Sequence, residues 1–444
     1  MITRRSENRP RSVLQTDHRK GGRPTTGCYD FSMARVLRRN VERALSDALA
    51  DTRVVVVTGA RQVGKSTLVK VALADRDDVD MRRLDRPVEL AAARRDPESF
   101  VRHDGLLVVD EIQRAPELIL PIKARVDDDP RPGQYVLTGS ARLLGLRALP
   151  DSLIGRSETI ELWPFSQGEL VGVVDRFVDA LFAEGPLVRI QSTLLRNDYL
   201  GRALVGGYPE ATKRTDPRRR RYFDSYVDDL IDRDITQLSD IQRRPDLLRL
   251  LLVLAQRMAT PISVQNVAAD LAVPKSTVDR YIALLEEVFV VKRLRGWATS
   301  ATKRATQREK LVFVDSGLGA HLGGLTLANI SRNESVAGQL LENFVIGEIC
   351  RQLTWSDMGA RPYHYRDRDG REVDLLLEGR DGSIVALEVK AGATVRAEDF
   401  RHLAFLRDAL GDRFHRGAVL YTGDKTLDFG DRLVVTPIAA LWAE

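Results

Sequence analysis

The sequence predicts an α/β protein built on a parallel sheet, with further domains after it. Three observations lead to this prediction. Apolar and β-branched runs alternate with helical patterns between Val54 and Leu162. The first run ends in a glycine-rich turn that opens a helix. The hydrophobic pattern then changes after Trp163 to Phe165, and changes again beyond Ser335.

Length and composition narrow the class of protein. The chain of 444 residues is too long to fold around one hydrophobic core. A content of 43% hydrophobic and 30% charged residues is typical of soluble globular proteins. Cys28 and Cys350 have no metal-ligand spacing and predict no disulfide framework, which favours the cytoplasm. No apolar run is long enough for a bilayer, so we expect no membrane partner. The formal charge of +5 permits nucleic-acid binding without demonstrating it.

Five strand candidates and the helical patterns between them justify the predicted sheet. The strands are expected at residues 54–57, 81–85, 106–109, 135–137 and 159–162. Helical spacing occurs before the first strand, over residues 66–74 and over residues 87–95. Residues 166–256 are predicted to be mainly helical, interrupted by the GGYP turn at 206–209 and the basic run at 218–221.

The turn after the first strand carries the most specific motif of the chain. GARQVGKS, residues 59–66, matches G-x-x-x-x-G-K-[ST] between a strand and a helix. Backbone N–H groups there can hold phosphates, Lys65 can reach the β- and γ-phosphates, and Ser66 can supply a hydroxyl to Mg²⁺. The alternative is a glycine-rich turn without a ligand. The predicted ATP-binding residues are Gly59, Ala60, Arg61, Gln62, Val63, Gly64, Lys65, Ser66, Thr67, Thr138 and Ser140.

Acidic and hydroxyl residues follow two later strands. In LLVVDE, Asp110 is expected to hold Mg²⁺ with Ser66, and Glu111 to orient or deprotonate the attacking water. In VLTGS, Thr138 and Ser140 could sense the γ-phosphate or satisfy a turn. ATP and Mg²⁺ are therefore the expected cofactors, and Lys65 and Glu111 the expected catalytic residues of the chain's own site.

Arg156 is a further catalytic candidate. It stands in LIGRSETIEL just before the fifth strand. A cation there could stabilise the transition-state charge on a neighbouring subunit's nucleotide. The alternative is a surface arginine in a loop of an arginine-rich chain.

Residues 263–294 are predicted to form a helix-turn-helix. Val267, Ala268 and Leu271 would face inward, with the turn at residues 272–273 and a second helix after Pro274. Residues 289–297 could begin a wing. Such a second helix often enters the major groove of DNA, and the alternative is a winged helix used for packing or oligomerisation.

The C-terminal region brings acids and a lysine together in a predicted hairpin. REVDLLLE and IVALEVKAG flank a turn, so Asp374 lies on one strand while Glu388 and Lys390 share a face of the next. Glu342 on the preceding helix could add a further acid. Such a set can bind a divalent metal and activate water for phosphodiester hydrolysis. The alternative is a solvated ion-pair face without activity.

The chain resembles a bacterial and archaeal family of AAA-type ATPases whose C-terminal domain has a nuclease-like fold and no known function. The matching stretches are VVVVTGARQVGKSTL, LLVVDEIQ, YVLTGSARLL, the GR before the fifth strand, LWPFSQGEL, GGYPEA, YVDDLIDRDI, VFVDSGLGAHL, LLENFVIGEI and the EVD…EVK pair. The resemblance implies ATP hydrolysis, an arginine finger at Arg156, and a PD-(D/E)xK-type site at Asp374, Glu388 and Lys390. It covers nearly everything after Met33.

The predicted organisation has five parts. Residues 1–32 are expected to be a disordered basic tail, or an extension upstream of a natural start at Met33 rather than Met1. A P-loop AAA-type ATPase core (33–165), a helical extension (166–256), a winged-helix-like unit (257–334) and a restriction-endonuclease-like α/β domain (335–444) follow. Two functions remain open: ATP turnover coupled to DNA binding or processing, and an ATP-dependent switch or assembly protein that binds DNA, another protein or a second copy without cutting.

Overall fold

A five-stranded parallel sheet forms the first part of the protein. The computed structural model describes residues 36–140, 153–235, 244–300, 304 and 307–443. The strand order of this first sheet is β2-β3-β4-β1-β5. The strands are β1 (Val54–Thr58), β2 (Val79–Arg83), β3 (Leu106–Asp110), β4 (Tyr135–Gly139) and β5 (Ser157–Glu161). The predicted parallel sheet is confirmed, with β2 and β5 each beginning two residues earlier than expected.

Helices cover both faces of this sheet. Along β1, Val55 and Val57 join one cluster of buried side chains, while Val54 and Val56 join another, because successive residues of a strand point to opposite faces. This arrangement explains why β1, β3 and β4 are apolar almost throughout. The helices of this part are α1 (Glu42–Asp51), α2 (Lys65–Ala72), α3 (Pro87–Arg95), α4 (Pro97–Phe100) and α5 (Ile119–Asp128).

The middle of the chain is mainly helical, as predicted. It contains α6 (Gln167–Val171), α7 (Phe177–Phe182), α8 (Arg196–Val205), α9 (Pro209–Thr212), α10 (Asp216–Asp229), a π-helical turn (Leu230–Ile235), α11 (Arg244–Gln256), α12 (Val264–Leu271) and α13 (Lys275–Glu287). Between α12 and α13, Ala272 takes a left-handed conformation with φ 53°, at the predicted turn. An antiparallel pair, β6 (Val291–Leu294) and β7 (Lys310–Phe313), follows.

The C-terminal part contains a mixed six-stranded sheet in the order β12-β13-β11-β10-β9-β8. Three helices precede it: α14 (Ser316–Leu322), α15 (Leu327–Ile330) and α16 (Glu334–Gln352). Its strands are β8 (Arg361–Arg366), β9 (Glu372–Glu378), β10 (Ile384–Lys390), β11 (Phe414–Tyr421), β12 (Leu427–Asp428) and β13 (Leu433–Pro437), with α17 (Arg401–Leu410) between β10 and β11. The predicted hairpin of β9 and β10 is present.

The parts share buried surface. From Leu37 onward the chain forms one unit, and one cluster of buried side chains extends from Val41 to Trp442. The predicted domain boundaries stay predictions, and this cluster crosses the three that are predicted after residues 165, 256 and 334. Over the described residues, no helix combines the length and apolar character needed to cross a membrane.

Candidate nucleotide site and C-terminal carboxylate cluster

The loop after β1 has the backbone geometry of a phosphate cradle. Gly59 has φ 149°, and a Cβ there would lie 2.1 Å from the carbonyl oxygen of Leu162, so no other residue fits without a shift. Gly64, with φ 98°, precedes the first residue of α2. Lys65 is buried and its Nζ donates to the carbonyls of Gly59 (2.9 Å) and Ala60 (3.0 Å). The loop therefore places a buried cation at the amino end of a helix, where anions bind.

The predicted magnesium ligands meet at the carboxyl ends of the strands. The Ser66 hydroxyl donates to the two carboxylate oxygens of Asp110 at 2.9 and 3.0 Å. The Thr138 hydroxyl donates to the same carboxylate. Asp110 is only 5% exposed and Thr138 is fully buried. A hydroxyl and a carboxylate next to a P-loop are oxygen ligands of the kind that Mg²⁺ takes beside nucleotide phosphates and water, so these residues fit the ion.

Glu111 is held beside this group by its backbone and by a glutamine. It adopts φ 62° and ψ 45°, a left-handed conformation that non-glycine residues rarely take and that is common at functional sites. Its N–H donates to the Thr138 hydroxyl at 3.3 Å. The Gln113 side-chain amide donates to the Glu111 carboxylate and, at 3.1 Å, to the Ser140 hydroxyl. Gln113 was missed by sequence reasoning, although it lies only two residues after Glu111.

Arg156 lies away from these residues. It immediately precedes β5, whose amino end is level with the amino end of β1, whereas the P-loop follows the carboxyl end of β1. A five-residue strand spans roughly 16 Å, so the arginine lies at the amino ends of the strands, about that far from the P-loop at their carboxyl ends. There it pairs with Asp127 and donates to the carbonyl of Ile154. The structure thus leaves Arg156 outside the chain's own nucleotide site, and its finger role stays a prediction.

Two residues outside the motif hold the P-loop from either side. Arg39 donates to the carbonyl of Val63 at 2.9 Å, to the carbonyl of Trp163, and to the Glu169 carboxylate at 3.0 Å. From α10, the Tyr222 hydroxyl donates to the side-chain carbonyl of Gln62 at 2.9 Å. Sequence reasoning missed both, because nothing local marks an arginine twenty residues before the motif or a tyrosine far after it.

Four of the sequence stretches that carry the family resemblance meet in one buried region. They are LWPFSQGEL, GGYPEA, VFVDSGLGAHL and LLENFVIGEI. Gly207 of the GGYP turn donates its N–H to Asp315 at 2.7 Å and accepts from the N–H of Phe165 at 2.8 Å. Gln167 donates its N–H to Glu348 at 2.8 Å, and Arg351 donates to the carbonyl of Pro164 at 2.9 Å. The end of the first part, the middle helices and α16 are therefore connected by buried hydrogen bonds.

The predicted DNA-reading helix has a nearly neutral surface. On α13, Ser276 and Arg280 are exposed and Thr277 is half-buried. Lys275 lies 3.8 Å from the Asp279 carboxylate, which offsets its charge. The helix order and the hairpin that follows agree with the predicted winged-helix unit, whose assignment stays a prediction.

At the C-terminal sheet, two predicted acids, Glu342 and Asp374, lie beside Lys310, and so does Glu372; neither Lys310 nor Glu372 was predicted from the sequence. The Nζ atom of Lys310 donates to the Glu342 carboxylate and lies 3.6 Å from Glu372 and 3.8 Å from Asp374. Lys310 is fully buried, yet it starts β7 rather than a strand of the C-terminal sheet. A lysine opening the apolar run KLVFV was the available hint.

Glu388 and Lys390 lie on the same side of β10, as their spacing predicts. Lys390 Nζ is 3.6 Å from the Glu388 carboxylate and 3.7 Å from Asp399. The Val389 N–H donates to Asp374 at 2.9 Å, which fixes that carboxylate against β10. The structure therefore brings Glu342, Asp374, Glu388 and Lys390 together.

Burial and mutual repulsion disfavour ionisation of two of these acids. Burial, with Asp374 nearby, raises the pKa of Glu342 to about 8, although Lys310 opposes the shift. Burial and the Asp374 carboxylate also hold the pKa of Glu388 well above its usual value. Burial lowers the pKa of Lys310, but Glu342 and Asp374 outweigh it and the net shift is upward. Within the described part of the chain, no group of three or more His, Cys, Asp or Glu side chains is arranged to hold a metal ion.

Comparison with known proteins matches three segments of the chain to family models. Residues 51–171 match the model of an AAA domain, and residues 196–329 and 337–441 match two domains of unknown function, DUF8612 and DUF4143. An uncharacterized protein of Mycobacterium tuberculosis is 26% identical over 404 residues, which is 90% of this chain and 83% of that protein. An uncharacterized protein of Haemophilus influenzae is 25% identical over 251 residues, 55% of this chain and 56% of that protein.

Solved structures also overlap parts of the chain. A Walker-type ATPase of Pyrococcus abyssi matches with 15% identity and a TM-score of 0.39, over 65% of this chain and 96% of that one. The RuvB Holliday junction branch migration motor of Thermotoga maritima matches with 19% identity and a TM-score of 0.29, over 57% of this chain and 88% of that one. The parallel sheet, the P-loop geometry and the matched AAA domain together define an AAA-type P-loop ATPase domain.

Proposed function

We propose that the chain binds MgATP at residues 59–67 and hydrolyses it. The observation that carries this proposal is the junction of Ser66, Asp110 and Thr138 beside the buried Lys65, because it supplies a cation and oxygen ligands where a P-loop holds phosphates. Mg²⁺, when bound, would neutralise charge on the phosphate oxygens.

Each protein group has a distinct role in this proposal. Lys65 stabilises the charge of the β- and γ-phosphates, and Ser66 and Asp110 hold the ion. Glu111 orients the attacking water and accepts its proton, while Gln113 keeps the Glu111 carboxylate in place. Thr138 and Ser140 border the same space and sense the γ-phosphate.

The test is ATP turnover by Lys65→Ala. We expect hydrolysis to be abolished and nucleotide affinity to fall, because the buried ammonium is lost. Lys70→Ala is the matched control, since Lys70 is an exposed lysine on the same helix and should leave turnover unchanged. Equal turnover in both variants would refute the assignment.

We further propose that ATP turnover is coupled to DNA binding by the middle of the chain. Besides the winged-helix-like unit, α10 offers Arg218 and Arg221, which border a cleft of about 290 Å³ together with Tyr222. Tyr222 also contacts the P-loop through Gln62, so one helix joins a basic surface to the nucleotide site. Arginines that border an open cleft suit phosphate oxygens.

The same basic run provides a matched comparison. Arg219 and Arg220 pair with Asp216, whereas Arg218 and Arg221 face the cleft. We expect the double variant Arg218→Ala and Arg221→Ala to lose DNA affinity and DNA stimulation of ATP turnover, and Arg219→Ala with Arg220→Ala to lose much less. Fluorescence anisotropy at two salt concentrations measures the affinity, and equal losses would contradict the proposal.

The second candidate is an ATP-dependent switch or assembly protein that binds DNA, another protein or a second copy and cuts nothing. Lys310 favours it, because an ammonium group already lies among the carboxylates that a metal-dependent nuclease would use. Incubation of plasmid, linear and branched DNA with the protein and Mg²⁺ or Mn²⁺ separates the two candidates. Cleavage that disappears in Asp374→Ala and Glu388→Ala, with ATP hydrolysis retained, would establish DNA processing.

A further inference from the structure

Lys310 differs from an ordinary surface lysine in its burial and in the number of its partners. Its side chain is 1% exposed, and its ammonium group contacts Glu342, Glu372 and the backbone carbonyl of Asp374, with the Asp374 carboxylate at 3.8 Å. An ammonium group removed from water needs such compensation, and a group of buried carboxylates needs a cation equally. The two sets of charges therefore stabilise each other.

The lysine and the acids come from different parts of the chain. Lys310 lies in the segment matched by one domain of unknown function, and Glu342, Glu372 and Asp374 lie in the segment matched by the other. The ion pairs thus connect β7 to α16 and to β9.

The backbone of strand β7, which carries Lys310, is hydrogen-bonded along both of its edges. On one edge it pairs with β6, where Leu294 is opposite Lys310. On the other edge it bonds to the segment before α12, through the Ile262 N–H to the Glu309 carbonyl (2.9 Å) and the Ala259 N–H to the Leu311 carbonyl (3.0 Å). Asn343 of α16 also accepts from the N–H of Phe313 and donates to its carbonyl. These contacts fix the backbone of Lys310, and the ion pairs with Glu342 and Glu372 then hold its ammonium group among the acids.

We propose that the Lys310 ammonium group is the resident cation of the C-terminal carboxylate cluster and keeps divalent metal ions out of it. Ions such as Mg²⁺ and Mn²⁺ need carboxylate oxygens close around them, and the ammonium group occupies that position. A second cation beside it would be repelled in a poorly solvated site. The cluster then acts as a joint between the middle and C-terminal parts rather than as a metal centre.

Manganese binding to nucleotide-free protein tests this proposal independently of ATP hydrolysis. All proteins carry Asp110→Asn, which removes the P-loop site for the ion. We expect electron paramagnetic resonance titration to detect no Mn²⁺ bound at the cluster with Lys310 present. Lys310→Met removes the charge and keeps most of the side-chain length. The carboxylates are not arranged around a metal ion while the ammonium group lies among them, but in this variant they can close on one Mn²⁺, and adding Asp374→Asn should abolish that binding. Lys213→Met, at an exposed lysine, is the matched control and should bind none.

Two results would overturn the proposal. One is Mn²⁺ binding in the presence of Lys310 that Asp374→Asn removes, because the lysine would then yield to metal. The other is a folded Lys310→Met, shown by circular dichroism, that binds no Mn²⁺. If Lys310→Met does not fold, Lys310→Arg keeps the test open. A charged side chain there should exclude Mn²⁺, and binding by that variant would also contradict the proposal.

Discussion

Arg39→Leu tests whether a residue outside the motif supports the nucleotide site. The Arg39 side chain is 7% exposed and its partner Glu169 is 1% exposed. Removing the arginine leaves the carbonyls of Val63 and Trp163 without this donor, while Glu169 keeps the N–H groups of Asn40 and Ser166. Breaking a buried ion pair in this way costs about 3–5 kcal/mol, and the retained N–H donors favour the lower end.

The same change should weaken nucleotide binding. The Arg39 guanidinium holds the Val63 carbonyl within the P-loop, and loss of one such hydrogen bond is worth about 1.4 kcal/mol, or a tenfold fall in affinity. Urea unfolding followed by tryptophan fluorescence measures the stability, and a fluorescent ATP analogue measures the affinity. Arg39→Lys should retain only part of the folding stability and of the ATP affinity, because lysine lacks the planar, forked donors of the guanidinium group.

Arg43→Leu is the control for this prediction. Arg43 is 80% exposed and forms an ion pair with the exposed Asp47, so its loss should change stability by less than about 0.5 kcal/mol and leave ATP affinity unaltered. If Arg39→Leu is no more harmful than Arg43→Leu in both assays, the proposed support of the P-loop is wrong.

Three further predictions concern ATP hydrolysis and the pH dependence of folding stability. Glu111→Gln should bind ATP but hydrolyse it at least a hundredfold more slowly, since the water-orienting carboxylate is lost; turnover within a fewfold of wild type would assign the role elsewhere. Arg156→Ala should lower ATP turnover only in assembled protein, so the specific activity of the wild type should rise with protein concentration. A rate that changes neither with protein concentration nor with the substitution would favour the alternative, a surface arginine paired with Asp127. Burial and Glu348 raise the pKa of Asp175 to about 8, so the folded state keeps a proton that the unfolded state loses near pH 4, and stability should fall as the pH rises from about 4 to 8. Asp175→Asn should flatten that part of the urea-unfolding profile, and an unchanged slope would contradict the assignment.

The parallel sheet and the candidate nucleotide-binding residues could be predicted from the sequence alone. Both rest on local patterns: apolar strands bury two faces of a sheet, and the turn after β1 needs glycine at residues 59 and 64. Because ligands of such sheets lie at the carboxyl ends of parallel strands, the positions of Asp110 and Thr138 along the chain already implied that they meet. The spacing within β10 likewise implied that Glu388 and Lys390 share a face.

The distant residues that contact these candidate sites could not be predicted without the three-dimensional structure. Arg39, Tyr222 and Lys310 act through contacts across 24, 160 and 32 positions of the chain, and no local period records such pairs. The structure also places Arg156 at the amino ends of the strands, away from the P-loop. At the C-terminal cluster the sequence supplied the acids, but the charge at their centre depends on how β7 packs against α16 and β9. A buried carboxylate cluster can be neutralised by a metal ion or by a lysine, and that choice is made by packing between segments rather than by either segment's own pattern.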